Sequence, residues 1–201
     1  MKRRDTFRLA ARMLTAAGMA STGALLGGCA APSASSVPAA RVELPLLRLP
    51  PSALGDASWA YSQRLSVTRL DRPDARAQQV DVQLQLNASG LLLAGFALGQ
   101  RVLLMQWDGQ QLQVTRHPRL PAEVDTDRML RDLCLVFWPA DAVRGALPAG
   151  WTWDATPDGQ TLRQGTAVQL TVRRPTPNQV EILNTAEGYR LLIDSQPLGG
   201  S

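Results

Sequence analysis

The chain has 201 residues, of which 45% are hydrophobic and 19% are charged, a composition that excludes disorder over most of its length. Its formal net charge is +4, but the first 28 residues hold five basic side chains and one acidic, so the remaining 173 residues are neutral. Nucleic-acid binders need a local surplus of cations to displace counterions, so no nucleic-acid partner is expected.

The first 28 residues have the organisation of an export signal. A basic segment ending at Arg12 is followed by a short apolar stretch, residues 13–26, and by two glycines. The stretch is too short and too rich in small residues for a transmembrane helix. We interpret residues 1–28 as a signal peptide. The route stays open between general secretion and the twin-arginine pathway, whose signal the pair Arg3-Arg4 loosely resembles.

The signal ends in Leu26-Gly27-Gly28-Cys29, which resembles the bacterial lipobox. In that motif the cysteine thiol receives a diacylglyceryl group, and a peptidase that needs small side chains then cuts just before it. The alternative is an ordinary signal peptide in which Cys29 is incidental. We predict that Cys29 is lipidated, with palmitate as a typical acyl chain. Because Ala30 rather than aspartate follows, the resemblance implies an anchor in the outer membrane, on its periplasmic face.

The next residues contain only alanine, proline, serine and valine and show no periodicity. Residues 29–40 are therefore predicted to be the lipidated cysteine and a flexible tether. The remainder, residues 41–201, is predicted to be a single domain.

Most of that domain shows the alternation of half-buried β-strands. The pattern has period two from Ser62 to Pro118 and again from Trp151 to Asp194. Turn signals separate the runs, and Asp108-Gly109 among them predicts a two-residue hairpin. Consecutive hairpins predict an antiparallel sheet of about nine to eleven strands, large enough to curl.

One clear helix is predicted between the two series of hairpins. Its apolar stripe, at helical spacing, consists of Met129, Leu130, Leu133, Cys134 and Phe137. The charged residues on its other side are Asp127, Arg128, Arg131 and Asp132. Either Asp125 or Thr126 is expected to cap its start, and Pro139 to end it.

A shorter second helix is predicted over Asp141–Leu147, before Pro148. The order is therefore sheet, helical hairpin, sheet. It predicts an α+β fold in which a curved antiparallel sheet packs the helical hairpin against its concave face.

Residues that could carry out catalysis are scarce. The only histidine, His117, lies beside Pro118 in a loop with no nearby carboxylate, so neither a metal site nor a Ser-His-Asp triad is expected. Cys134 lies in an apolar run and is interpreted as a small buried hydrophobe; with Cys29 acylated, no intrachain disulfide is expected. The chain is predicted to be no enzyme and to use no cofactor or metal.

Several motifs resemble a family of small bacterial lipoproteins of unknown function, whose genes accompany fatty-acid-synthase-like clusters that make aryl polyene lipids. The motifs are Met129–Pro139, Leu147–Trp151, Leu98–Arg101 ahead of Trp107-Asp108-Gly109, and Val180–Leu191. The element order is in turn similar to LolB, the outer-membrane receptor of lipoprotein sorting, and so to LolA/LolB-like proteins. The resemblance implies a half-open antiparallel barrel with the helices in its mouth.

The chain also has more apolar surface than one-sided strands need, since Leu91–Leu93, Val102–Met105 and Leu133–Trp138 are apolar on both faces. Such a sheet either packs solidly on the helices or holds an apolar ligand, for which each buried methylene contributes about 0.8 kcal/mol. The predicted lining of a lipid pocket is Leu93, Phe96, Leu103, Met105, Trp107, Met129, Leu133, Phe137 and Trp138.

Two functions remain open at this stage. The first is an outer-membrane lipoprotein that binds or transfers an acyl lipid or a lipoprotein in envelope biogenesis. The alternative is a non-catalytic structural or assembly factor that docks an envelope partner, with a filled core and no ligand.

Overall fold

A computed structural model describes residues 42–121 and 124–199. The predicted signal peptide, Cys29 and the tether lie outside these residues. Among the described residues, neither helix has the length and hydropathy needed to cross a bilayer.

The described chain contains a short 3₁₀ helix at Pro51–Leu54, five strands, two helices and five further strands. The first five strands are β1 (Trp59–Arg69), β2 (Gln78–Asn87), β3 (Gly90–Ala97), β4 (Gln100–Trp107) and β5 (Leu112–Arg116). The helices are α1 (Thr126–Phe137) and α2 (Ala140–Ala146). The last five strands are β6 (Trp151–Thr156), β7 (Gly159–Gln164), β8 (Ala167–Thr176), β9 (Gln179–Asn184) and β10 (Tyr189–Pro197).

All ten strands form one antiparallel sheet in the order β5-β4-β3-β2-β1-β10-β9-β8-β7-β6. Its centre is the pairing of the first strand with the last, which runs from Tyr61 opposite Pro197 to Arg69 opposite Tyr189. The two edge strands, β5 and β6, do not pair with each other, so the sheet is not closed. They are the strands that flank the helices in sequence. The prediction of one large antiparallel sheet with a helical hairpin inserted midway is confirmed.

The ends of helix α1 follow from local chemistry. The Asp125 carboxylate accepts hydrogen bonds from the backbone N–H groups of Asp127 and Arg128, at 3.0 and 3.2 Å, which satisfies two amides that have no partner within the helix. Pro139 has extended backbone and separates α1 from α2. The capped helix and the shorter second helix are therefore confirmed.

Helix α1 and one face of the sheet share a single hydrophobic core. Alternate residues of β2, β3 and β4 face it, among them Leu84, Leu93 and Met105, all at most 2% exposed. From the helix, Cys134 is also fully buried, and burial raises the pKa of its thiol to about 12. This complete burial confirms the interpretation of Cys134 as a buried hydrophobe, and the raised pKa disfavours the reactive thiolate.

The core surrounds α1 on both sides, which the sequence pattern does not predict. The pattern places Arg131 and Asp132 on the polar side of the helix, but the structure buries both, Arg131 completely. The Arg131 guanidinium contacts Asp132, with Nε 2.9 Å from Oδ1, and Glu187, with Nη1 2.7 Å from Oε1. Tyr189 donates its hydroxyl hydrogen to Asp132. We call Arg131, Asp132, Glu187 and Tyr189 the buried ion cluster.

The buried ion cluster joins helix α1 to the β9–β10 hairpin. The pKa values of its two carboxyl groups reflect the balance between burial, which opposes ionisation, and pairing with Arg131, which favours it. Burial opposes ionisation of Glu187, but the hydrogen bonds and charge of Arg131 outweigh it and lower the Glu187 pKa. Burial dominates at Asp132 and raises its pKa. Arg131 is therefore the group that makes a buried Glu187 carboxylate tolerable.

We call residues 42–54 the N-terminal segment. The sequence pattern predicts neither a helix nor a strand there. The segment inserts four leucines into the core: Leu44, Leu47, Leu49 and Leu54. Its backbone carbonyls accept two indole N–H groups, from Trp107 to Leu49 at 2.8 Å and from Trp138 to Pro50 at 2.9 Å. The segment is therefore an integral part of the core.

The connection between β4 and β5 differs from the prediction. The two-residue hairpin predicted at Asp108-Gly109 is wrong, because four residues, 108–111, join the strands. The Asp108 carboxylate accepts hydrogen bonds from the backbone N–H groups of Gln110 and Gln111, which close a wider turn and lower the Asp108 pKa. A Cβ on Gly109 would lie 3.1 Å from Pro51 of the N-terminal segment, and φ there is +97°.

The β3–β4 hairpin ends in an unusual residue. Leu98 and Gly99 both have positive φ, 50° and 74°, and Leu98 is the one non-glycine residue with positive φ in the described chain. Its side chain is fully exposed. A branched side chain in the left-handed region is strained, whereas asparagine is well tolerated there and Asn-Gly is a preferred pair in tight hairpins.

We therefore expect Leu98→Asn to raise the free energy of unfolding by about 0.5–1 kcal/mol. Urea unfolding followed by tryptophan fluorescence measures this. The control is Leu98→Ala, which removes the same exposed apolar surface but lacks the side-chain amide that lets asparagine hydrogen-bond locally at positive φ. Equal stabilisation by alanine and asparagine would show that backbone strain is not the cause.

Candidate functional site

A groove of about 520 Å³ lies at the carboxyl end of helix α1. The loop before β1, β1 itself, the α1–α2 junction and the strands β7 to β10 contribute to it. The site thus lies where the helical hairpin meets the second half of the sheet.

One wall of the groove is apolar and aromatic. The rings of Trp59 and Phe137 lie with their centroids 5.3 Å apart and their planes tilted by 58°. Trp59 faces the helices because it pairs with Leu86, a residue of the buried face of the sheet. Phe137 is the last residue of α1. Both side chains are only half-buried, and so is Val180, so this wall offers apolar surface to a ligand.

The groove also has polar lining residues. Arg174 donates one guanidinium hydrogen to the Val136 carbonyl at 2.6 Å and another to Gln160 Oε1 at 3.1 Å. Partial burial lowers the pKa of this guanidinium. Asn178 and Ser195 also line the groove. The groove therefore offers both the apolar surface and the polar groups that an amphipathic molecule requires.

A second, much smaller cavity of about 60 Å³ lies between α1 and the sheet. Its volume corresponds to about two water molecules at the density of the liquid. The buried side chain of Gln63 lines it and donates a hydrogen bond to Ser195 Oγ at 2.9 Å. This cavity is too small for an acyl chain.

The nine residues predicted to line one lipid pocket are distributed over four places. Two line the groove: Phe137 and Trp138. Three surround the small cavity: Leu93, Met129 and Leu133. Three lie in the core and line neither space: Leu103, Met105 and Trp107.

The ninth residue, Phe96, lies on the opposite face of the sheet. It pairs with Asp81, whose side chain contacts Arg64 on that outer face. The reason is the alternation of β3, which directs Leu91 and Leu93 inward and Phe96 outward. Phe96 therefore does not share a site with the other eight.

Sequence reasoning missed the polar lining of the groove. Arg174 lies in the run of alternating residues that includes Leu170 and Val172, both of which face inward, and this alternation could have assigned it to the inner face. No local signal could have brought Arg174 to Trp59, because β8 and β1 are separated in the sheet by β9 and β10.

Other reactive side chains have ordinary structural roles. His117 accepts a hydrogen bond at Nδ1 from the Arg119 backbone N–H at 3.1 Å, within the loop after β5. The residues that the structure describes include no group of three metal-binding side chains. The groove is therefore the candidate functional site, and it is suited to binding.

A family model described as "Protein of unknown function (DUF3261)" matches residues 60–197. No curated protein matches the chain. Among solved structures, the LolA superfamily protein NE2245 from Nitrosomonas europaea is similar at 12% identity and a TM-score of 0.39, over 75% of this chain and 91% of that one. The N-terminal segment lies outside the family match.

Proposed function

Because this chain belongs to the DUF3261 family, whose function is unknown, we propose its function from its groove: it binds the acyl chain of a lipid or of a lipoprotein. We further propose that it does so as a lipoprotein on the periplasmic face of the outer membrane, and that binding serves transfer in envelope biogenesis.

The observation that carries the proposal is the half-buried aromatic wall of Trp59 and Phe137 beside open space. Apolar surface in contact with water is unfavourable, and an acyl chain that covers it contributes about 0.8 kcal/mol for each methylene buried. The groove's volume, about 520 Å³, falls within the range of about 300–1,000 Å³ that is typical of small-molecule sites. An acyl chain is the simplest ligand for such a wall.

The lipobox resemblance at Cys29 supports the membrane part of the proposal. A lipid on Cys29 would tether the domain through residues 30–40, which reach roughly 36–40 Å when extended. That reach lets the groove face either the bilayer or the periplasm. The resemblance to lipoproteins of aryl polyene clusters supports the inclusion of such acyl lipids in the proposed ligand class.

The proposal predicts uptake of fatty acids that depends on the groove. Ala57 lines the groove, and Ala57→Phe would fill part of it. We expect this variant to bind a fluorescent fatty acid at least about tenfold more weakly than the parent, because the added ring displaces several methylenes. All variants carry Cys29→Ser, so that a bound lipid is distinguished from the anchor, and binding is measured by fluorescence titration.

The control is Ala97→Phe, which adds the same ring at the exposed end of β3 and should leave binding unchanged. Native mass spectrometry of the Cys29→Ser chain gives an independent measurement, since co-purifying lipid supports the proposal. A clean ligand-free mass together with no uptake of the fatty acid would contradict it. That result would favour the alternative of a non-catalytic assembly factor that docks an envelope partner.

A further inference from the structure

We infer that the groove selects anionic amphiphiles, and that Arg174 binds their carboxylate or phosphate head group while the Trp59–Phe137 wall receives the chain. The inference rests on the proposed function and adds the chemical class of the ligand. It names a head-group site within the groove.

The first argument is charge. Of the described residues that line the groove, Arg174 alone is charged, and no carboxylate accompanies it. None of the ion pairs among the described residues includes Arg174. An arginine guanidinium stays charged at every physiological pH. The groove therefore contains one cation whose counter-charge the described protein does not supply.

The second argument is hydrogen-bonding capacity. A guanidinium has five N–H donors in a planar fork. Arg174 uses one toward the Val136 carbonyl and one toward Gln160 Oε1. Three donors remain, and the fork matches the paired oxygens of a carboxylate or phosphate. The two bonds that are made hold the guanidinium at the groove.

The third argument is a hydroxyl in the same groove. Ser195 also lines the groove, and its Oγ accepts a hydrogen bond from the Gln63 amide at 2.9 Å. Its own O–H is therefore available to donate to a ligand oxygen. A cation and a hydroxyl donor that line the same groove as two aromatic rings fit an anionic head on an apolar chain and do not fit a neutral hydrocarbon alone.

A purely structural role for Arg174 makes a different prediction. Val136 lies in the last turn of α1, where a cation stabilises the carbonyl end of the helix dipole. If that were the only role of Arg174, its replacement would lower stability without changing the preference between head groups. Head-group preference is therefore the informative measurement.

The experiment titrates the full chain carrying Cys29→Ser with dodecanoate, dodecyl phosphate and 1-dodecanol, by calorimetry at neutral pH. The three probes share one alkyl chain and differ in the head group. We expect at least one of the two anions to bind at least about tenfold more tightly than the alcohol. The reason is that charge-assisted hydrogen bonds to arginine are stronger than hydrogen bonds to a neutral hydroxyl. Preference for the carboxylate or the phosphate identifies the source of the head group.

The variant is Arg174→Gln, in which we expect the preference for an anion to fall to about twofold or less while 1-dodecanol binds as before. The matched control is Arg173→Gln, which removes the same charge from the neighbouring position on the opposite face of β8, opposite Glu181. It should keep the full preference. Arg174→Lys retains the charge and should retain part of the preference, even if α1 is slightly destabilised.

The outcomes of this experiment distinguish a failure of the head-group inference from a failure of the proposed function. Equal binding of all three probes overturns the head-group inference and leaves acyl binding intact. Loss of preference in Arg173→Gln as well as in Arg174→Gln also overturns it, since the effect would then be general electrostatics. Binding of none of the probes contradicts the proposed function itself.

Discussion

Replacing Arg131 with methionine will lower the free energy of unfolding by about 3–5 kcal/mol, the largest effect we expect from a single charge removal in this chain. Arg131 is fully buried and contacts both Asp132 and Glu187, with atoms 2.7–2.9 Å apart. Methionine fills a similar volume but leaves two carboxyl groups in the core without their cation. Urea unfolding followed by the fluorescence of the five tryptophans measures the change.

The matched control is Arg128→Met, one turn earlier on the same helix. Arg128 also reaches Glu187, at 3.6 Å, but its side chain is 51% exposed. A pair with that exposure is worth about 0–1 kcal/mol, so this variant should be nearly as stable as the parent. Equal effects of the two substitutions would show that burial of the cluster does not hold α1 to the β9–β10 hairpin.

The effect of Arg131→Met should also depend on pH. In the parent, the Glu187 pKa is lowered, so its stabilising contribution is present above the unfolded pKa and is lost as pH falls through the folded pKa. Without Arg131, burial raises the pKa of Glu187, and protonation then favours folding. The difference in stability between parent and variant should therefore begin to narrow above the ordinary glutamate pKa of 4.5, where Glu187 of the variant takes up its proton, and narrow further below 4.5, where the parent loses its ion pair. The double variant Arg131→Met with Glu187→Gln should be closer in stability to the parent than Arg131→Met alone, already at neutral pH.

Replacing Leu47 with alanine will lower the free energy of unfolding by about 2–5 kcal/mol. Leu47 is 1% exposed in the N-terminal segment, and its carbonyl lies 3.7 Å from the Cys134 sulfur. Its truncation leaves a cavity between the segment and helix α1. The control is the neighbouring Leu46→Ala, which removes the same atoms from a side chain that is 54% exposed and should change stability by less than about 0.5 kcal/mol.

Removing the whole N-terminal segment should have a larger effect on stability than the Leu47→Ala substitution. A chain cut to the residues that match the family model, 60–197, loses all four core leucines of the N-terminal segment and leaves the indole N–H groups of Trp107 and Trp138 without their acceptors. We expect it to bind the dye ANS and to lack a cooperative urea transition. A chain that begins at residue 42 keeps these contacts and should unfold cooperatively. Cooperative unfolding of both would refute a structural role for the segment.

The elements that the sequence predicts well are those that local physics decides. The period-two runs predict a sheet of about nine to eleven strands, and the structure has ten. The stripe from Met129 to Phe137 predicts α1, and Asp125 caps it. Each depends on residues within one or two turns of a helix or along one strand, where spacing alone fixes which side chains share a face.

The candidate site could be predicted only in part, because it combines elements that are distant along the chain. Phe137 and Trp138 are found from the apolar run at the end of α1, and both line the groove. Phe96 is predicted to line the same pocket, but the alternation of β3 directs its side chain to the other face of the sheet. Trp59 and Arg174 come together only through the pairing of β1 with β10 and of β9 with its neighbours.

Spacing along the chain is enough to predict the hairpins of each half of the sheet, helix α1, and the burial of Cys134 within an apolar run. The pairing of β1 with β10, the place of residues 42–54 in the core, and the burial of Arg131 and Asp132 on the polar side of α1 come only from the folded structure. Burial of a charge depends on its partner, which need not be near in sequence. Arg131 can leave water because Glu187, which lies 56 residues further along the chain, is brought within 2.7 Å of it.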